Sequence, residues 1–318
     1  MKNANLKQEI IDTARASWAD MVGFAPASRF ESDDPIFKIM PEVKTVICLA
    51  FRNLRGSYRG VEEGTTYYQY STMSVENMEE TVMPMTRIKV ANLIESYGYT
   101  ALPQRRHQRI MAQENETNPE VIYDTIFRNV KSEPQMNFEN SAVLCGIGEI
   151  GLHGGIINDQ FGPMIRYCFI LTDAEIEPDE VKPAHLCDKC GKCAEACPGK
   201  AILEDGGINS WQCAVYYNGA SGITNPFMSP GAYPDLEDRL TVIAGEANVT
   251  PETARDILKK THFYPPVGHL YSGALCGKAC HRACYVHLEE KGLLSQKFNG
   301  KFRKREPWHF DLKDYDVY

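Results

Sequence analysis

Cys187, Cys190, Cys193 and Cys197, followed at once by Pro198, form the run CxxCxxCxxxCP. Bacterial-type ferredoxins hold 4Fe-4S clusters with this spacing, and no other feature of the chain restricts its fold as strongly. Three thiolates two residues apart can wrap one cubane within a short loop. The fourth, set back by three and followed by proline, points elsewhere, and in such runs it ligates a different cluster. A second cluster then needs three more thiolates, and Cys213, Cys276, Cys280 and Cys284 lie downstream. The arithmetic pairs Cys187, Cys190, Cys193 and Cys284 in a first site and Cys197, Cys213, Cys276 and Cys280 in a second. A structural zinc site would need only four thiolates at ribbon-like spacing, and a disulfide framework suits short secreted chains. Two 4Fe-4S clusters and electron transfer are therefore the expected chemistry.

Composition agrees. The chain has 318 residues, 43% of them apolar, enough for a substantial core and more than one typical domain. No stretch approaches the length of a membrane-spanning helix, so no membrane contact is expected. The start, MKNANLKQEIIDTARASW, lacks an apolar signal core and a twin arginine, which predicts a cytoplasmic protein. There, eleven cysteines mean reduced thiols and metal. A formal net charge of -8 argues against a broad nucleic-acid surface, and no nucleic-acid groove is expected. Lys297, Lys301, Arg303, Lys304 and Arg305 make one local basic run, either a solvated surface or a docking patch.

The chain divides near residue 180, into a domain over 1–180, a double-cluster domain over 181–290 and a tail over 291–318. Ile10, Ile11, Ala14, Trp18 and Met21 share the spacing of an amphipathic helix, and a second is predicted over 87–97 with Ile88, Ala91 and Ile94 or Leu93 inward. Thr45 to Phe51 and Arg166 to Thr172 read as buried strands, giving an α/β or α+β layer structure. Thr250-Pro251 opens a short helix with a cap followed by proline. Residues 275–291 read as helical, which sets Cys276, Cys280 and Cys284 in one i, i+4, i+8 row. The stretch 218–238, rich in Gly, Pro and Asn, reads as an irregular loop.

Just ahead of the cysteine run, Gly146, Gly148 and Gly151 fit GxGxxG literally. The context argues against a dinucleotide site. Gly154, Gly155 and Gly162 follow too quickly for a helix to open, each costing about 1 kcal/mol in a helix interior, and no acidic residue stands where ribose recognition would want it. So many glycines point instead to backbone packed closely against a large flat ligand.

The order GIGEIGxxGxxIxxxFGPxxRxxxxLTD, then CxxCxxCxxxCP, then a lone cysteine and a late cysteine cluster, resembles the corrinoid-dependent epoxyqueuosine reductases and reductive dehalogenases. The resemblance runs from about Ala142 to Cys284. It implies a nitroreductase-like cobalamin-binding core fused to a two-cluster ferredoxin-like domain. It also implies a base-off corrinoid, reduced by the clusters, that acts on an epoxide, halide or related group of a small organic substrate. Carried over residue by residue, the implied cofactor contacts are Gly146, Gly148, Glu149, Gly151, Gly155, Phe161, Gly162 and Arg166, with His153 between the glycines able to meet a corrin face or propionamide. Arg166 could neutralise a phosphate or brace a glutamate. The chain departs from the family in its late CxxxCxxxC, followed by Tyr285 rather than proline. It departs again at Ser132-Glu133-Pro134, near where epoxyqueuosine reductases carry a proton-donating aspartate.

The proton donor is sought among Glu133, Glu139, Tyr67, Tyr68, Tyr70, His107 and His153, with Glu133 and Tyr68 the nominated pair. Cys48, Cys145 and Cys168 read as small buried hydrophobes, and Trp211 as a cluster shield or core residue. The leading expectation is a reductase fed by an external donor of ferredoxin or flavodoxin type. The alternatives are a corrinoid-free electron carrier or reductive activator docking a partner protein, and a flavin-binding variant.

Overall fold

The computed structural model describes residues 2–105, 110–111, 121–122, 134–261 and 274–315. A four-stranded sheet forms the centre of the N-terminal part, in the order β1 (Met21–Pro26), β2 (Thr45–Arg52), β6 (Ile165–Thr172), β3 (Ala101–Gln104), where β4 (Glu149–Ile150) and β5 (Ile156–Ile157) make a separate two-stranded hairpin. All neighbours in the sheet are antiparallel, so the mixed architecture is of α+β type. Val46, Cys48 and Ala50 of β2 point to one face, where they pack with Phe138 and Ala142 of α4 (Phe138–Leu144) and with Phe169. Ile47, Leu49 and Phe51 point to the other, against Ile10, Ala14, Val90 and Ile94. Both faces are covered, which is why β2 reads as an unbroken apolar run rather than an alternating one.

The opposite face is covered by α1 (Lys2–Ala16) and α3 (Met83–Ser96). Three inner-face expectations fail here, the first being Met21, which belongs to β1 and packs on the other side of the sheet. Trp18 is 76% exposed at φ 85°, because the first helix ends at Ala16 and the chain turns through a left-handed residue before β1. Ile88 is 55% exposed, and Val90 takes the inward place beside Ala91 and Ile94. Ahead of α3, residues Tyr70–Glu76 and Met78–Val82 are wound as π-helix. Such wide turns are rare and concentrate at functional sites.

The cysteine-bearing part is mostly loops and short helices: α5 (Lys192–Glu195), α6 (Ser210–Tyr217), α7 (Arg239–Ala244), α8 (Pro251–Lys260) and α9 (Ala279–Glu290). Thr250 caps α8 in a reciprocal capping box with Thr253, and Pro251 follows it, as the sequence predicts. Residues 218–238 carry no regular element. The late helix starts four residues later than expected, at Ala279, because Gly277 and Lys278 adopt left-handed φ values of 59° and 50°. Cys276 therefore sits in a turn and not on the helical row. α2 (Arg55–Glu62) links the two parts: its Glu62, 3% exposed, is paired to Arg282 of α9 and to Arg303.

Candidate cluster and polar site

Eight thiols gather around the N-terminal half of α9 in two sets. Cys284 is pushed well above the ordinary thiol range by burial and then by the neighbouring thiols of Cys193, Cys187, Cys190 and Cys280. Cys280 is pushed up by burial, opposed by Lys278, and raised again by Cys276, Cys213 and Cys197. Cys193, within the first set, is raised to about 11 by burial and by Cys190. Cys284 thus neighbours Cys193, Cys187 and Cys190 and also Cys280, while Cys280 neighbours Cys276, Cys213 and Cys197. Metal binding reverses such shifts, since a coordinating thiol is deprotonated outright. Two thiols already accept the backbone bonds that a cluster thiolate accepts, from Leu152 N to Cys187 Sγ and from Ala201 N to Cys197 Sγ, both 3.3 Å. Eight thiols are the number and donor type that two 4Fe-4S cubanes require. Cys190 and Cys213 are the exposed members.

The glycine-rich segment is occupied from within. A Cβ on Gly148 would stand 2.1 Å from the Ile157 carbonyl oxygen across the β4–β5 hairpin, and one on Gly151 would stand 2.4 Å from the Ile157 side chain. Gly146 faces the Glu180 carbonyl, Gly155 faces His281, and Gly162 faces Leu288 and Leu294. On the side where a Cβ would stand, these glycines let the backbone approach the protein's own residues. No helix opens at the fingerprint, in line with the argument against a dinucleotide.

Glu149 likewise has an internal task. Its carboxylate accepts from the backbone N–H groups of His185 (2.6 Å), Leu186 (3.0 Å) and Cys187 (2.7 Å), and so holds the entrance to the first cysteine loop. Glu149→Ala is expected to cost about 2–4 kcal/mol through orphaned donors and to lower iron retention by the Cys187 set. Denaturant melts and iron assays of the two proteins check both.

Beside the second thiol set lies a polar group that the motif did not reveal. Arg166, its side chain 16% exposed, pairs with Glu79 of the π-helical stretch. Burial opposes its charge, but Glu79 and the phenols of Tyr58, Tyr70 and Tyr217 outweigh that and hold the guanidinium charged. Lys278 neighbours Tyr217, Cys280, Cys276 and Arg166. Tyr70, 1% exposed, is held protonated by burial and by Tyr58, against the pull of Arg166. His153 is lowered to about 4, by burial and then by Lys278, and is neutral. Its ring lies 4.6 Å from that of His281, and its Nδ1 accepts from Gly155 N at 3.0 Å. Four buried atoms here lack a partner: Arg166 Nε and Nη2, Tyr70 Oη and His153 Nε2. Buried polar atoms in that state call for an explanation, such as a catalytic role or a bound ligand, ion or water.

Among the other nominated residues, Tyr68 is 42% exposed, whereas Tyr70, two residues on, is the tyrosine turned inward. Tyr67 donates to the Thr224 carbonyl oxygen (2.8 Å), and Glu139 accepts from Tyr167 (3.2 Å). Phe161 is buried in the sheet core. Glu133 and His107 lie outside the described residues. Cys48, Cys145 and Cys168 are fully buried thiols, and Trp211 packs in a core cluster with Val215 and Tyr216.

No family model matches the chain. Over 73 residues it is 41% identical to an epoxyqueuosine reductase of Prochlorococcus marinus (strain NATL2A), covering 23% of each protein. Over 67 residues it is 42% identical to a tetrachloroethene reductive dehalogenase of Desulfitobacterium hafniense, 20% of this chain and 12% of that one. The aligned window spans about a quarter or less of these relatives, and within it the chain resembles both groups, as its motifs imply. Among solved structures, a selenomethionine-labelled epoxyqueuosine reductase aligns with a TM-score of 0.49 at 16% identity, over 88% of this chain and 80% of that one. An epoxyqueuosine reductase bound to a tRNA stem loop aligns at 0.48, with the same identity and coverage. A B12-dependent reductive dehalogenase aligns at 0.45 and 16% identity, over 79% of this chain and 35% of that one. Among the described residues no helix is long and apolar enough to cross a membrane.

Proposed function

We propose that the chain is an iron-sulfur reductase in which electrons pass through two 4Fe-4S clusters to a substrate or corrinoid held beside Arg166 and Tyr70. The observation that carries this reading is the placement of the second thiol set next to a buried polar group with unmet hydrogen-bonding atoms. Cys187, Cys190, Cys193 and Cys284 would hold one cluster; Cys197, Cys213, Cys276 and Cys280 would hold the other. When bound, the clusters supply single electrons at low potential.

By resemblance the group beyond the clusters is a corrinoid, which when bound supplies a strongly reducing cobalt centre. Arg166 Nε and Nη2 and His153 Nε2 are the atoms of this chain that fit its polar periphery or a substrate's. Arg166 orients whatever anionic or carbonyl oxygen enters, with its charge fixed by Glu79. Tyr70 Oη holds a proton that burial keeps on the phenol, and it is the donor for a carbon or oxygen made basic by reduction. The reducible group, an epoxide, halide or related function, is carried by a small molecule or, as the name and tRNA complex of one relative group indicate, by a nucleic acid.

Tyr70→Phe tests the donor. Removing a hydroxyl without a partner is expected to leave stability within about 1 kcal/mol and cluster reduction unchanged. Turnover should fall by about 10²–10⁴-fold. Equal loss in cluster reduction would make Tyr70 a structural residue.

One observation favours a second reading, a corrinoid-free electron carrier: the glycine segment is filled by the protein's own residues. Cobalt bound after incubation with cobalamin separates the two.

A further inference from the structure

The C-terminal end of α9 is flanked by a continuous cationic face. Residues 291–305 carry six Lys or Arg and no Asp or Glu, in a chain of net charge -8. This strap lies across α2 and α9: Phe302 is fully buried, Arg55 donates to the Gly300 carbonyl at 2.7 Å, and Phe302 N donates to Glu289. On the other flank of the helix end, Lys291 pairs with Asp188 and Lys192 with Glu290 (3.6 Å), which joins the strap to the loop bearing Cys190. Asp188, Glu289 and Glu290 of this face are therefore already matched. Asp188 is taken by Lys291 and His287, and Glu289 by Arg55. Among the described residues Lys189, Lys297, Lys301 and Lys304 are exposed and have no acidic partner within salt-bridge distance.

An apolar cavity of about 290 Å³ opens in the same face, lined by Asn53, Leu54, Phe161, Met164, Tyr285 and Phe298 among others. Leu54 and Phe298 are 55% and 47% exposed, and buried Asn53 keeps its Oδ1 without a partner. An apolar centre within a charged rim is the anatomy of a protein interface. Tyr285 of the cavity wall directly follows Cys284, and Cys190 of the same thiol set is exposed, so a partner seated here would stand next to the first cluster.

We infer that this face docks an acidic one-electron carrier protein, with Phe298 and Leu54 at its centre and Lys189, Lys297, Lys301 and Lys304 on its rim. The inference rests on the cluster reading above. The step is a single electron transfer: the carrier's reduced centre loses one electron, the Cys187–Cys190–Cys193–Cys284 cluster gains it, and no bond or proton moves. Unmatched lysines steer a negatively charged partner and raise its encounter rate, an effect that salt screens.

The test compares the anaerobically prepared protein with the triple variant K189E/K301E/K304E. Reduction is followed by stopped flow with a reduced, acidic plant-type ferredoxin, and separately with photoreduced 5-deazariboflavin, a small uncharged reductant. The ferredoxin rate is expected to fall steeply with added salt and to drop at least tenfold in the variant at low salt, while the deazariboflavin rate stays within twofold. Calorimetric binding of oxidised ferredoxin should weaken in parallel, and this readout stands whether or not the clusters load. A salt-independent ferredoxin rate, equal binding by both proteins, or an equal loss with both reductants would overturn the docking face. Iron content of the parent protein, measured first, judges the cluster reading independently.

Discussion

Combining Cys197→Ala with Cys280→Ala is expected to leave about four irons per chain, no fewer than either substitution alone, because both thiols serve one 4Fe-4S cluster. Combining Cys197→Ala with Cys284→Ala is expected to leave almost none. The contrast follows from the thiol neighbours: Cys280 stands with Cys276, Cys213 and Cys197, whereas Cys284 stands first with Cys193, Cys187 and Cys190 and only then with Cys280. Sites that share a ligand set fail together, and independent sites add. If Cys197 belonged with the three cysteines before it in sequence, Cys284 would fall with Cys213, Cys276 and Cys280, and both double variants would lose almost all their iron. Iron and sulfide analysis of four proteins decides the matter.

Glu62→Ala is expected to destabilise the chain by about 3–5 kcal/mol, the usual cost of breaking a buried ion pair and leaving a charge uncompensated. Glu62 and Arg282 are 3% and 8% exposed, with Nη1 to Oε2 at 3.1 Å, and Arg303 reaches the other carboxylate oxygen. Arg282 also donates to the Gly277 carbonyl (2.9 Å), in the turn that presents Cys276. The Trp308 backbone N–H donates to the Glu62 carbonyl at 3.1 Å. One carboxylate thus ties α2, the base of α9 and the C-terminal strap together. Denaturant unfolding of the apo-protein measures the loss. A change below about 1 kcal/mol would mean that water readily replaces the pair.

What the sequence disclosed was local. The cysteine run, the Thr250-Pro251 helix start and the two buried strands each depend on residues adjacent in the chain, where spacing and propensity speak directly. The sheet's antiparallel order was not legible, since β6 inserts between β2 and β3 after a long intervening stretch. Nor was the Arg166–Glu79 pair, whose members are 87 residues apart. Tyr70 was one tyrosine in a run of three, and only the π-helical winding turns it, rather than Tyr68, towards Arg166. Glycines mark close approach, but sequence cannot say whether ligand or protein approaches, and in the β4–β5 hairpin it is protein. Glu149 shows the same ambiguity: a conspicuous acid beside glycines proved to be the acceptor for three backbone donors.

The most direct test is anaerobic purification, incubation with cobalamin, and measurement of iron, sulfide and cobalt together with visible and paramagnetic resonance spectra. The account predicts about eight irons and eight sulfides per chain with the signals of two 4Fe-4S clusters, and stoichiometric cobalt that Arg166→Ala weakens. Eight irons without cobalt would leave an electron carrier. A single zinc, or iron below about four per chain, would contradict the two-cluster claim on which the proposed reductase stands.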